Sequence, residues 1–163
     1  YYTEAYNYLG VSYFKAGKLN QAEEAFKKAL ELDADYAMAY NNLGNVYLAQ
    51  KRYPEAIATY NKAIIADGQL ASAYNGLGVA YYNQGDIDKA YSSWKTALSV
   101  DPKQADAAYN LGRILLKSGS KEEALKYLEL FLEIASPQKY NRDIMQVRTV
   151  VERLKQEIRQ NTR

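Results

Sequence analysis

The stretch AYNNLGNVY at residues 39–47 returns 34 positions later as AYNGLGVAY at residues 73–81. Its central Leu-Gly pair keeps the same interval along the chain, without insertions, at 9–10, 43–44, 77–78 and 111–112. A fixed period of this length is typical of proteins that stack small similar units, and not of proteins with one closed core. The sequence therefore predicts four units of 34 residues.

Small and large residues alternate in the same register in every unit. The recurring small residues are Ala22, Ala56, Ala90 and Ala124, and the large residues four positions later are Phe26, Tyr60, Trp94 and Leu128. Small residues let two helix backbones approach closely, and large residues fill the space beside them. We therefore expect these positions, with the glycine of each Leu-Gly pair, to form the core.

Each unit divides into two amphipathic stretches of about 14 residues with turn residues between them, which predicts a pair of helices. Gly17, Gly85 and Gly119 mark the turn in three units, whereas Lys51 stands at the equivalent position of the second unit. Beyond the fourth unit, a further helix is predicted at 141–160. Its apolar face carries Ile144, Val147, Val151, Leu154 and Ile158.

This frame resembles the tetratricopeptide repeat family, whose 34-residue pattern runs aromatic, Leu-Gly, Tyr, Ala, aromatic, Ala and Pro. The resemblance covers residues 3 to about 136. It implies an all-α, right-handed superhelical solenoid of four helix-turn-helix units closed by a C-terminal capping helix. The expected organisation is one domain over 1–163, with units at about 3–36, 37–70, 71–104 and 105–138 and the cap at about 141–160.

The resemblance also implies that the first helix of every unit lines a concave groove that binds a partner. The residues carried over as partner-binding are Asn7, Phe14, Asn41, Asn45, Asn75, Tyr82, Asn83, Tyr109 and Arg113. Because an amide can donate and accept at once, a ladder of Asn7, Asn41 and Asn75 could hold an extended peptide, with Asn41 and Asn75 expected to be exposed. Aromatic and guanidinium groups would select the side chains. Alternatively, the asparagines merely continue the repeat as solvated surface, and both interpretations stay open.

One subclass of the family binds a partner's C-terminal carboxylate with two Lys, one Arg and two Asn at set positions. Asn42 fits that pattern. Asn7 and Val11, however, stand where Lys and Asn are required, and Ser72 and Gly76 stand where Lys and Arg are required. A carboxylate clamp is therefore not expected, and Asn42 is interpreted as a residue of the helix surface.

The composition argues against catalysis. The chain has no Cys and no His, which removes thiolate nucleophiles, the usual zinc ligands and the side chain that most often transfers protons near neutral pH. Adjacent acidic residues such as Glu23 and Glu24 point about 100° apart on a helix and do not converge on a substrate. No phosphate-binding glycine loop or metal-ligand cluster is visible. We expect no catalytic residue, cofactor or metal, and no enzyme.

The C-terminal segment is basic, with 7 basic and 3 acidic groups over 138–163, and Arg148, Arg153, Arg159 and Arg163 raise the question of phosphate binding. Mixed charges on a helix usually only keep it solvated, so a protein or peptide partner is expected and a nucleic acid is not. No apolar run approaches the roughly 18 residues that span a bilayer, so direct membrane insertion is not expected. The cytoplasm is slightly favoured as location, with a periplasmic or tethered form possible if flanking segments are missing.

Two functions from different classes remain. The first is a non-catalytic adaptor that binds a protein segment in its groove. The second is a self-assembly module that forms homo-oligomers through the C-terminal helix or an end unit. The apolar face of the C-terminal helix either covers the fourth unit or pairs with a second chain, and replacing Val151 and Leu154 with Asp is expected to separate the two.

Overall fold

The computed structural model describes residues 2–161, and the regular structure within that range is entirely α-helical. The helices are α1 (Tyr2–Lys15), α2 (Leu19–Leu32), α3 (Ala37–Ala49), α4 (Tyr53–Ala66), α5 (Ala71–Gln84), α6 (Ile87–Val100), α7 (Ala105–Ser118), α8 (Lys121–Ile134) and α9 (Pro137–Asn161). The first eight contain 13 or 14 residues each and form four consecutive pairs, as the two amphipathic stretches per unit predict.

The turn inside each pair requires one residue with a left-handed backbone. Glycine supplies it in three pairs, with φ of 73° at Gly17, 93° at Gly85 and 86° at Gly119. In the second pair Lys51 adopts the same region with φ of 61°, although its Cβ makes this conformation unfavourable. The turn therefore has the same left-handed residue where Lys51 stands in place of glycine.

The turn between successive pairs is closed by an aspartate that sequence reasoning missed as a repeated feature. The Oδ1 atoms of Asp33, Asp67 and Asp101 each accept a hydrogen bond from the backbone N–H two residues later, at 2.9 to 3.0 Å. Such side-chain turns stop a helix and redirect the chain. The three aspartates are 34 positions apart, so the signal was present in the repeat.

The predicted small and large positions meet inside each pair. A Cβ added to Gly10 would lie 2.6 Å from the ring of Phe26, and one added to Gly44 would lie 2.6 Å from the ring of Tyr60. The same distance is 2.5 Å to Trp94 at Gly78 and 2.5 Å to Leu128 at Gly112. These values are below any real contact, so the large side chain packs directly on the opposite backbone. The expected core is confirmed.

The chain divides into two compact units at residues 96 and 97, within α6. The core of the first unit includes Ala22, Phe26, Leu43, Tyr60 and Leu77, contributed by α2 to α5. The core of the second unit is formed by α7, α8 and α9 around Leu128 and Phe131. The expectation of one domain over 1–163 stays a prediction.

Helix α9 has a non-helical residue near its start, because Tyr140 has φ of −119° and ψ of 24°. Beyond it, Ile144, Val147, Val151 and Leu154 are buried against α8 and α7 in the core of the second unit. Of the two interpretations of this apolar face, the structure therefore supports the first, in which the face covers the fourth helix pair.

Candidate functional site

The residues predicted to bind a partner in the first compact unit lie on α1, α3 and α5, the first helices of the first three pairs. The asparagines among them are less exposed than expected. Asn7 is 4% exposed and Asn41 is 7% exposed, and Asn75 is half-buried. The expectation of an exposed side chain is therefore wrong for Asn41, because neighbouring helices cover this repeated position.

At the junction of the first and second pairs, Asn7 has a dedicated partner. Its Oδ1 accepts a hydrogen bond of 2.9 Å from Nδ2 of Asn42 on α3. Asn42 is half-buried, so its interpretation as an ordinary surface residue is also wrong. A buried polar atom that keeps a hydrogen bond avoids most of its desolvation cost. The amide oxygen of Asn7 is already engaged within the chain.

At the junction of the second and third pairs, the equivalent amide has no partner. Asn41 is buried, and its Oδ1 is the one buried side-chain polar atom without a hydrogen bond among residues 2–161. The residue of α5 that corresponds to Asn42 is Gly76, which has no side chain to donate. An unpaired buried acceptor costs about 1–3 kcal/mol, so the second junction carries a free-energy cost that the first does not.

Tyr60 explains why Gly76 cannot be a larger residue. A Cβ at Gly76 would lie 2.4 Å from Cζ of Tyr60. The phenol of Tyr60 donates a 2.6 Å hydrogen bond to Oδ1 of Asn45, and burial raises the pKa of Tyr60 above its ordinary value. In the first pair Phe26 occupies the position of Tyr60. The two junctions therefore differ at two positions: the second has Tyr60 and Gly76 where the first has Phe26 and Asn42.

The other predicted residues of this unit are placed on α1 and α5. Phe14 is half-buried and packs against the core, and the ring of Tyr82 lies 6.0 Å from that of Trp94. Asn83 is exposed and donates from Nδ2 to the carbonyl of Val79 at 2.8 Å. Asn75 is tied to the core through its backbone carbonyl, which accepts a 3.2 Å hydrogen bond from Nε1 of Trp94.

Tyr109 and Arg113 lie on α7 in the second compact unit. The guanidinium of Arg113 is 5.5 Å from the ring centroid of Tyr109. The ring of Tyr109 packs against that of Phe131 in a tilted arrangement, with 5.2 Å between the centroids. Beside them, Lys139 forms a 3.0 Å ion pair with Asp106 and lies 4.5 Å from the ring of Tyr140. The first turn of α9 therefore contacts Asp106 of α7, on the same helix as Tyr109 and Arg113.

A polar network on the edge of the first junction was also missed by sequence reasoning. Glu23 forms ion pairs with Lys27 at 2.7 Å and Arg52 at 3.0 Å, and it accepts hydrogen bonds from Tyr47 and Gln50 at 3.3 Å. Burial disfavours its charge, but the hydrogen bonds from Lys27 and Gln50 and the nearby cations hold the pKa of Glu23 below its usual range. Four partners on one carboxylate indicate a structural role.

The basic C-terminal segment forms ion pairs with its surroundings. Arg153 lies 3.7 Å from Glu157, which also pairs with Lys121 at 2.7 Å, and Lys155 pairs with Glu129 at 2.9 Å. Arg163, named above as a possible phosphate ligand, lies outside the described residues. Arg153 and Lys155 are therefore paired with neighbouring carboxylates.

Within residues 2–161, no group of three or more Asp, Glu, His or Cys side chains is arranged to hold a metal ion. None of the helices in this range has the length and apolar character needed to span a membrane.

The sequence pattern of the tetratricopeptide repeat family matches residues 8–71 and 75–139, so the chain belongs to this family. Its fold is that of an all-α repeat solenoid, and such repeats are known chiefly as modules for protein–protein interaction. The sequence-based assignment of family and fold class is confirmed. No curated protein sequence matches the chain significantly.

Solved structures give the same assignment. MamA, known from a crystal structure, shares 32% sequence identity with this chain at a TM-score of 0.72. The match covers 80% of this chain and 77% of MamA as solved. PilF from Pseudomonas aeruginosa is 26% identical with a TM-score of 0.81, covering 97% of this chain and 69% of that chain. The first tetratricopeptide domain of Spaghetti (RPAP3), solved with an HSP90 peptide, is 21% identical with a TM-score of 0.68, covering 72% and 94%. At that identity the likeness concerns the fold alone.

Proposed function

We propose that this chain is a non-catalytic adaptor that binds an extended segment of a partner protein along α1, α3 and α5. The observation that carries the proposal is the buried, unpartnered Oδ1 of Asn41. Because this oxygen is buried in the free chain, binding requires the side chain of Asn41 to turn toward the surface, where an N–H group of the bound peptide plays the part that Nδ2 of Asn42 plays one junction earlier. The ligand thereby supplies the hydrogen bond that Gly76 does not.

The chemistry of this position favours a peptide. An extended chain presents backbone N–H groups at regular intervals and independently of its side chains. Formation of the bond removes the cost of an unsatisfied buried acceptor, and so contributes to affinity without the loss of an existing hydrogen bond.

Side-chain selectivity is assigned to the remaining predicted residues. Phe14 and Tyr82 are half-buried aromatics that keep part of their surface for a ligand, and Asn83 is exposed. In the second compact unit, Tyr109 and Arg113 form an aromatic and cationic pair that is proposed to contact a partner independently. Asn7 contributes less to peptide binding than the proposed ladder of asparagines predicts, because its amide oxygen already accepts a hydrogen bond from Asn42.

Self-assembly through the C-terminal helix has less support. Val151 and Leu154 are buried against their own chain, at 3% and 2% exposure, and are not available to a second copy. Replacing them with Asp would remove α9 from α8, so that test would report folding and not assembly.

The test is to select peptides of about 12 residues from a displayed random library on the whole chain and to measure their affinity by calorimetry. Asn41→Leu should weaken binding about tenfold, which corresponds to about 1.4 kcal/mol for one lost hydrogen bond. Asn61→Leu is the control, because Asn61 is exposed on α4 and outside the proposed surface. Failure to select any peptide, or equal affinity for the wild type and Asn41→Leu, would contradict the proposal.

A further inference from the structure

Helices α3 and α5 carry only neutral side chains, although 25% of the residues in the chain are charged. Every other helix within residues 2–161 carries at least two charged residues. α3 and α5 are direct neighbours in the first compact unit, and they contain Asn41 and Gly76 respectively. The neutral side chains are therefore concentrated at the junction where the proposed peptide surface lies.

The repeat does not require this neutrality, because other helices carry charges at the same positions. α7 has Asp106, Arg113 and Lys117, and α1 has Glu4 and Lys15 at two of these three positions. The equivalent residues of α3 and α5 are Met38, Asn45, Ala49, Ser72, Val79 and Asn83. All six are exposed or half-buried, so a charge at any of them would stay hydrated in the free chain. Neutrality is therefore a property of this surface and not a demand of the fold.

The groups that this surface offers to a ligand are apolar side chains, amides and a hydroxyl. Met38 is 47% exposed, and Leu48 and Tyr82 are half-buried. Asn41, once turned outward, adds a hydrogen-bond acceptor, and Ser72 adds an exposed hydroxyl. Such groups bind peptide backbone, uncharged polar side chains and apolar side chains. None of them compensates the desolvation of a carboxylate, an ammonium or a guanidinium as an opposite charge would.

Resting on the peptide-binding function proposed above, we infer that the segment bound by α3 and α5 is an extended stretch of a partner protein that contains no charged residue. Two neighbouring helices present a surface about 20 Å wide, which about six extended residues span. Apolar, amide and hydroxyl side chains are accepted within this stretch. Asp, Glu, Lys and Arg are rejected, because each would lose its hydration without gaining an ion pair.

The first measurement is the composition of the peptides that the whole wild-type chain selects from a displayed random library. At the positions that recur among them, Asp, Glu, Lys and Arg should be at least about fivefold rarer than in the unselected library. The affinity of these peptides is then measured by calorimetry at about 50 mM and about 500 mM NaCl. It should change less than about twofold, because salt screens interactions between charges and leaves neutral contacts in place.

The second measurement transfers charges from α7 to α5. The double substitution Val79→Arg/Asn83→Lys gives α5 the residues that α7 carries as Arg113 and Lys117. Peptides selected on the wild-type chain should bind this variant at least about fivefold more weakly, because a neutral peptide would desolvate the new cations. A new selection on the variant should return peptides that carry Asp or Glu.

The matched control is Ala58→Arg/Asn61→Lys, which adds the same charge at two exposed positions of α4. It should leave both the affinity and the composition of the selected peptides as they are for the wild type. Circular dichroism verifies that both variants fold. If the α5 variant does not fold, the composition and the salt dependence measured on the wild-type chain still decide the question.

Three results would overturn the inference: charged residues at the recurring positions of the wild-type peptides, an affinity that falls with salt, or an α5 variant that behaves as the wild type. If these peptides still lose affinity with Asn41→Leu, the proposed function holds and only the class of ligand is wrong. If no peptide is selected, both proposals fail. A wild-type dimer, detected by sedimentation, that Val79→Arg/Asn83→Lys dissociates would also overturn the inference, because the occupant would then be a second copy.

Discussion

The junction between the first two helix pairs and the junction between the second and third use the same repeated asparagine in opposite ways. Asn7 is buried and hydrogen-bonded to Asn42, whereas Asn41 is buried with its oxygen unpartnered. The difference depends on the residue 35 positions after each asparagine. This residue is Asn42, which donates to Asn7, at the first junction, and Gly76, which has no side chain to donate, at the second. A repeat position therefore acquires its role from the partner that the next unit supplies.

The second junction compensates through a different contact. Tyr60 places its ring on Gly76 and its hydroxyl on Asn45. The hydroxyl contact has no equivalent one unit earlier, where Phe26 and Val11 stand. Of these two junctions, the second leaves the buried amide oxygen of the repeated asparagine without a hydrogen bond.

The largest effect is expected from making the second junction resemble the first. Gly76→Asn places a Cβ within the ring of Tyr60 and should destabilise the chain by about 2–3 kcal/mol through overpacking. The measurement is the free energy of unfolding in urea. Gly68→Ala is the control, since its nearest neighbour is a carbonyl oxygen 3.8 Å away, and it should change stability by less than about 0.5 kcal/mol. A harmless Gly76→Asn would contradict the packing described.

The hydroxyl that distinguishes the two junctions should have a smaller effect. Tyr60→Phe removes the 2.6 Å hydrogen bond to Asn45 and should cost about 1 kcal/mol. The reverse change, Phe26→Tyr, should not stabilise the first junction, because Val11 stands where Asn45 would accept the proton. Tyr53→Phe serves as a half-buried control. Chemical denaturation gives the free energy of unfolding of the three variants. A Phe26→Tyr chain that is more stable than the wild type would contradict this account.

The Glu23 network should make the first junction sensitive to acid. Because the folded-state pKa of Glu23 is lowered, its contribution is fully present above the ordinary value of 4.5 and is lost as the pH falls through the folded-state value. Glu23→Gln should cost about 1 kcal/mol at pH 7, and the difference from wild type should shrink below about pH 4.5. Thermal unfolding at several pH values measures this. A difference that does not change with pH would exclude an electrostatic origin.

The smallest effect is expected at the turn of the second pair. Lys51→Gly relieves a left-handed backbone at φ of 61° and should stabilise the chain by about 0.5–1 kcal/mol, although glycine also raises the entropy of the unfolded chain. Gly85→Lys at the equivalent turn should have the opposite sign. Unchanged melting temperatures in both variants would show that the two turns are not equivalent.

The sequence predicted the helix pairs and the glycine contacts, because each of these depends on spacing alone. It also predicted the apolar face of α9 but left open whether the fourth helix pair or a second chain covers that face. It failed at Asn41, since an identical residue at an identical register was assumed to be exposed in every unit. The prediction that Asn42 is an ordinary surface residue also failed. Its contact with Asn7 joins two successive helix pairs, and the pattern of a single repeat does not reveal such a contact. The aspartate turns at Asp33, Asp67 and Asp101 were predictable from the period but were not recognised.

The most direct test of the account is to compare Asn7→Leu with Asn41→Leu by urea denaturation. Asn7→Leu leaves the amide of Asn42 without its partner and should destabilise the chain by about 1–2 kcal/mol. Asn41→Leu removes an unpaired buried acceptor and should leave stability unchanged or raise it by up to about 1 kcal/mol. Equal losses in the two variants would contradict the claim that the next unit's residue determines the role of this position.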